Sequence, residues 1–165
     1  MGPPSIADAD ESHLAAVFEI YNHEVLTSPS TFETEPRTPQ QQREWFHAFD
    51  RSVYPVLVAL DVGRVLGWAR LQPWSPRPGY RRSAEDSVYI AEHARGRGVG
   101  RALLDELLGR ARAAGIRSVI ARINDDGGPS VRLHRAAGFR TVGILEAVGE
   151  KFGRVLDVRI MQASV

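Results

Sequence analysis

Ser87-Val88-Tyr89-Ile90-Ala91-Glu92-His93-Ala94-Arg95-Gly96-Arg97-Gly98-Val99-Gly100-Arg101 is the stretch on which the fold turns. Its first four residues read as a strand, and its end opens a helix in which Leu103, Leu104, Leu107, Leu108 and Ala111 share one apolar stripe. Gly115 is the stop signal for that helix. A glycine-rich turn between a strand and a helix N-terminus can point several backbone N–H groups into one concavity, which is an anion site. Gly96, Gly98 and Gly100 carry no Cβ and let the backbone approach a pyrophosphate, while Arg95, Arg97 and Arg101 surround it with positive charge. No Gly-Lys-Ser/Thr closes the turn, and no acidic residue ends the following strand, so neither a P-loop nor a dinucleotide fingerprint is present.

Outward from this unit, Ile116 to Ile123 is the next strand and completes a β-α-β crossover. Pro129 to Ala137 reads as a short helix closed by Gly138, followed by strands at Phe139 to Leu145 and Val155 to Met161. Upstream, Val53 to Leu60 and Val65 to Leu71 form a hairpin across Asp61-Val62-Gly63-Arg64. Gln72 to Arg82 carries Pro73, Pro76, Pro78 and Gly79 and reads as an irregular loop. Leu14, Val17, Phe18, Tyr21 and Val25 recur at helical spacing behind Asp8 or Asp10 as N-cap. Thr38 and Pro39 suit the N-cap and first position of a second helix bearing Trp45, Phe46 and Phe49. Pro3 to Ala7 is too short and proline-rich to read as more than a partial strand.

With 165 residues, 43% of them hydrophobic, the chain supports one well-filled core, and a single domain over 1–165 is expected. Lys plus Arg number 21 against 20 Asp plus Glu, so no global field attracts nucleic acid or membrane. No apolar run of about 18 residues and no signal-peptide pattern occur, which points to the cytoplasm. Zero cysteines remove disulfides, thiolate metal sites and a covalent cysteine intermediate. No metal site is expected.

Arg95-x-x-Gly98-x-Gly100, in its strand-to-helix setting, resembles the acyl-CoA pyrophosphate motif of the GNAT superfamily. Tyr21-Asn22-His23, Thr34-Glu35-Pro36, Tyr54 to Ala59, Ser87-Val88-Tyr89, Leu133-His134, Gly138-Phe139 and Lys151-Phe152-Gly153-Arg154 are similar to the phosphinothricin and methionine sulfoximine N-acetyltransferase family. The resemblance spans nearly the whole chain. It implies an α/β GNAT fold: a mixed, twisted sheet of about six or seven strands, splayed between the fourth and fifth and flanked by about four helices. It also implies acetyl-CoA as co-substrate, a small-molecule amine as acceptor, and a homodimer. The coenzyme contacts map onto Val88, Tyr89 and Ile90 for the pantetheine arm and onto Arg95, Gly96, Arg97, Gly98, Val99, Gly100 and Arg101 for the phosphates. Gly127 stands where the family usually has a helix-opening asparagine.

Acetylation needs a neutral amine, and an α-amino group, titrating at about 8, is largely protonated at physiological pH. Glu85 occupies the position of the family's catalytic carboxylate and is the candidate base, directly or through water; its alternative is a structural pair with Arg81 or Arg82. A backbone N–H on a bulged Val88 to Ile90 strand is the expected oxyanion donor. His134, where many superfamily members carry tyrosine, is the candidate proton donor to the leaving thiolate, against a packed histidine as the alternative. Phe32 and the Pro78-Gly79-Tyr80-Arg81 turn, with Arg77 and Arg82 near it, are the expected substrate contacts. The leading function is direct acetyl transfer to a small amino acid or analogue. Acetylation of another amine or a protein N-terminus, and a non-catalytic acyl-CoA sensor, are the alternatives.

Overall fold

The computed structural model describes residues 4–124 and 128–165. Its seven strands form one sheet in the order β1-β2-β3-β4-β5-β7-β6. They are β1 (Ser5–Asp8), β2 (Val56–Asp61), β3 (Arg64–Pro73), β4 (Ser83–Ile90), β5 (Ser118–Ile123), β6 (Arg140–Lys151) and β7 (Arg154–Ser164). The helices are α1 (Leu14–Thr27), α2 (Pro39–His47), α3 (Val99–Ala113) and α4 (Pro129–Ala136). This matches the mixed seven-strand architecture implied by the resemblance.

Local chemistry sets the boundaries. Thr38 and Gln41 make a reciprocal capping box with Pro39 in the first turn of α2. Asp10 caps a 3-10 turn, Glu11–His13, that leads into α1. Val62 and Gly63, at φ 48° and 78°, make the two-residue β2-β3 turn, and Phe152 and Gly153, at 52° and 69°, make the β6-β7 turn. The partial N-terminal strand is a regular one, since Ser5 to Asp8 pair antiparallel with Leu57 to Leu60. Strand β6 runs six residues past the predicted Leu145. A register shift between Leu145 and Gly149, with Ala147 at φ 54°, breaks the alternation that would have revealed it.

The sheet is covered on both faces. On one, Leu57, Ala69, Leu71 and Ala84 meet Leu103, Leu104 and Leu107 of α3, all 0% exposed. Each such leucine contributes roughly 1.5–3 kcal/mol by leaving water. On the other, Val58 and Trp68 pack with Val17, Phe18 and Tyr21 of α1 and Phe46 of α2.

The feature that positions the site is a break in the sheet. Strands β4 and β5 are parallel, as the crossover requires, but pair only from Ser83 to Glu85 with Ser118 to Ile120. Beyond Glu85, β4 bonds only to β3 and β5 only to β7, and the sheet opens. The β3-β4 register runs unbroken from Gly67↔Ile90 to Pro73↔Ala84. The bulge expected at Val88 to Ile90 is therefore not present; their backbone faces the gap because β5 has diverged.

Candidate active site

A cleft of about 1380 Å³ runs through this gap, bordered by β4, the Arg95–Arg101 turn, α4 and the loop after α1. Val88, Tyr89 and Ile90 form its β4 wall. The turn at its other end has the backbone geometry an anion cradle requires. Gly96 and Gly98 sit at φ 71° and 80°, and a Cβ on either would meet nothing within 4 Å, so the backbone is bare there. The first backbone bond of α3 runs from Ala102 N to Gly98 O, which leaves the amides of Val99, Gly100 and Arg101 ahead of the helical ladder. No acidic residue occupies that first turn. Gly100 also has a packing reason to be small: a Cβ there would stand 3.1 Å from Leu133 Cδ2, where α3 and α4 meet.

The three arginines are engaged within the chain. Arg95 pairs with Glu24 and donates from Nε to Ile90 O at 3.3 Å. Arg101 holds Asp105 at 2.6 Å and Ala136 O at 2.8 Å, and Arg97 donates to His93 O at 3.4 Å. Burial pushes the Glu24 carboxyl up, but hydrogen bonds from Ser28 and Ser30 and the Arg95 charge outweigh it and hold the group below its ordinary value.

Glu85 is buried at the point where the strands part. Arg122 on β5 grips it with a planar fork, Nε to Oε1 at 2.6 Å and Nη2 to Oε2 at 2.9 Å, and Gln72 donates to Oε2 at 3.1 Å. The partner is thus Arg122, two residues beyond Ile120, which faces Glu85 in the β4-β5 register, and neither Arg81 nor Arg82. A carboxylate has about four acceptor sites, and this one fills three, so one remains for an incoming ammonium or water.

His134 lies on the opposite face of β4. It is 4% exposed, with Nε2 2.8 Å from Asp86 Oδ2 and Nδ1 2.8 Å from the Ser130 carbonyl. Both partners are acceptors, a setting that favours hydrogen on both ring nitrogens. Burial pushes its pKa down, but Asp86 and Ser130 O raise it above the ordinary value. Both ring nitrogens of His134 are engaged in this arrangement, which is the packed-histidine alternative, and a donor role toward a leaving thiolate requires one of these contacts to be released.

Phe32 borders the cleft and packs over Gly149, where a Cβ would stand 2.1 Å from the ring. Pro78, Gly79, Tyr80 and Arg81 do not border the cleft; the first three form an exposed 3-10 turn that Arg81 follows. Asn124 donates to Pro29 O and ties β5 to the loop after α1. The position of Gly127 lies outside the described residues. Among the described residues, no group of three or more His, Cys, Asp or Glu side chains is gathered as a metal site would need. No described helix is long and apolar enough to cross a membrane.

Contacts that the sequence did not reveal complete the site. An aromatic wall joins Trp68 to Tyr89, stacked at 4.9 Å, and Tyr21 to Tyr89, edge-on at 5.1 Å. Lys151 donates to Ser28 O and Thr31 O at 2.8 and 2.7 Å, anchoring the loop that carries Phe32.

The profile of the acetyltransferase (GNAT) family matches residues 17–139. The L-methionine sulfoximine/L-methionine sulfone acetyltransferase of Pseudomonas paraeruginosa is 40% identical over 162 residues, covering 98% of this chain and 94% of that one. A GNAT superfamily phosphinothricin acetyltransferase from Sinorhizobium meliloti, solved with AcCoA, superposes with a TM-score of 0.94 at 39% identity, over 99% of this chain and 89% of the other. A ribosomal-protein-alanine N-acetyltransferase structure from Brucella melitensis gives 0.93 at 39% identity over 98% and 99%. A sheet parted at β4 and β5, a bare glycine turn at its mouth and this breadth of similarity agree: the chain belongs to the GNAT acetyltransferase family.

Proposed function

We propose that this protein, as a single domain, acetylates the amino group of a small amino acid or analogue such as methionine sulfoximine or phosphinothricin. The observation that carries the reading is the parted sheet, with an anion cradle at one end and a clamped carboxylate, Glu85, at its apex. Acetyl-CoA supplies the acetyl group. Its phosphates fit the amides that open α3, with Arg95, Arg97 and Arg101 able to exchange their present partners for them. Its pantetheine arm fits the backbone of Val88, Tyr89 and Ile90.

Glu85 takes the proton from the acceptor ammonium through its remaining site, directly or through one water, while Arg122 and Gln72 fix its orientation. The unpaired backbone N–H groups of β4 on the gap side offer the developing oxyanion a donor. The Asp86–His134 pair keeps the cleft wall in place. Direct transfer is part of this reading, favoured by a chain that holds no cysteine to form a thioester. The alternative acceptor, a protein N-terminus, draws support from the name of the Brucella relative.

A homodimer through β6 is part of this proposal. That edge strand is exposed along most of its length and carries Val142, Ile144, Leu145 and Val148, an apolar edge that a lone chain would leave open to aggregation. Cytoplasmic placement belongs to the proposal as well, in keeping with a cysteine-free chain.

Gly98→Val tests the cradle. A β-branched residue at φ 80° is strained, by about 1–3 kcal/mol in general, and its side chain would stand in front of the amides. Titration calorimetry is expected to show acetyl-CoA affinity lowered about tenfold or more. Wild-type affinity in a folded Gly98→Val protein would remove the turn from the site.

A further inference from the structure

Arg70 has no place in the chemistry described so far. It stands on β3 between Trp68 and Gln72, borders the cleft, and is only 3% exposed. Its guanidinium lies 4.3 Å from the Trp45 ring centroid and 5.4 Å from that of Phe49. Nε reaches Leu71 O at 3.4 Å, whereas Nη1 is buried without a hydrogen-bond partner. The indole Nε1 of Trp68, two residues away on the same face, is another buried donor without a partner.

The nearby carboxylates are engaged elsewhere. Glu85 is held by Arg122 and Gln72, and Glu33 pairs with Arg37 at 3.1 Å. Burial lowers the pKa of Arg70 to about 10, with the Arg37 charge adding to the effect and Glu85 opposing it, so the group remains a cation at neutral pH. A buried cation without a counter-ion is costly to a fold that needs only packing there. Such a group points to an anion that arrives with the ligand.

Register identifies which anion. In the β3-β4 ladder Gln72 faces Glu85 and Arg70 faces Ser87, so Arg70 is one same-face step from the proposed base. The two are diagonal neighbours across the ladder, about 7–8 Å apart. An ammonium and a carboxylate on one carbon, each allowed a hydrogen bond of about 2.9 Å, bridge that distance.

We propose that Arg70 binds the α-carboxylate of the acceptor, which makes free α-amino acids the substrate class and disfavours polyamines and peptide N-termini. This rests on the acetyltransferase reading above. The assay compares methionine sulfone with its carboxamide, which keeps the amine and the head group but loses the anion. For the wild-type protein kcat/KM is expected to favour the acid by about 10- to 100-fold, the range of a charge-assisted hydrogen bond. In Arg70→Met that ratio is expected to collapse toward one, with Arg70→Lys recovering part of it. Loss of an unpaired buried charge also predicts a melting temperature for Arg70→Met equal to or above wild type, which a structural arginine would not give.

A folded Arg70→Met protein that keeps the full acid preference overturns the assignment, as does a wild-type protein that acetylates both compounds equally. A wild-type protein that acetylates neither these nor any other amino acid would instead refute the acceptor reading on which the assignment stands.

Discussion

Replacing Glu85 with glutamine is expected to lower kcat by about a hundredfold or more, with acetyl-CoA binding near wild type. A hundredfold corresponds to about 2.7 kcal/mol of barrier, within the reach of a single positioned base. The substitution keeps the volume of the side chain and one acceptor oxygen for Arg122, so the β4-β5 apex is retained. Its amide nitrogen faces donors of Arg122 or Gln72, and Arg122, whose side chain is 53% exposed, can turn toward water to relieve that contact. What glutamine cannot do is accept a proton from an ammonium. The proposed phosphate cradle, the Gly96–Arg101 turn, lies outside this contact set. Steady-state kinetics on the variant beside calorimetry with acetyl-CoA separate the two effects. Wild-type kcat in Glu85→Gln would take Glu85 out of the chemistry and leave its clamp as sheet architecture.

The second large effect is on stability. His134→Ala is expected to destabilise the fold by about 3–5 kcal/mol, because it strands a buried carboxylate. The Asp86 side chain is 1% exposed and its Oδ1 already lacks a partner, so nothing replaces the lost imidazolium. For a domain of this size each kcal/mol lowers Tm by about 2–4 °C. His134 is held above its ordinary pKa of 6.5, so its contribution is full below that value and is lost as pH rises through the higher folded value. The Tm difference between wild type and His134→Ala is therefore expected to vary with pH, the wild-type pair's share falling as pH rises through the folded His134 value. A variant as stable as wild type, or a difference independent of pH, would show that the pair is not charged as the geometry requires.

The fold was largely legible because its signals are local. The glycine turn, the Leu103 to Ala111 stripe, the Thr38-Pro39 cap and the hairpin turn each act over a few residues, and each sits where its chemistry places it. Errors arose where local pattern gave way. The end of β6 was lost to its bulge at Ala147, and β1 is made a strand by pairing with β2 rather than by its own propensity.

The site was legible by type more than by partner. Glu85 could be singled out by its place in the family pattern, but its clamp comes from Arg122, 37 residues away on a strand that meets β4 only as far as Glu85. Arg81 and Arg82 are close in sequence, and proximity along the chain misdirected the pairing. His134 looked like a free donor because Asp86, adjacent to Glu85 but on the other face, gave no sequence sign of reaching α4. Arg70 did leave a trace: it is a charge inside Val65 to Leu71, a run otherwise buried on both faces of the sheet.

The most direct test of the account is product analysis by mass spectrometry after incubation with acetyl-CoA and an equimolar mixture. The mixture holds methionine sulfoximine, methionine sulfone, phosphinothricin, ordinary amino acids, a polyamine and a peptide with a free N-terminus. N-acetylated amino acids, headed by the sulfoximine, sulfone or phosphinothricin, with the protein recovered at its starting mass, is the predicted result. Acetylation confined to the peptide or the polyamine, or an acetylated protein intermediate, would contradict it.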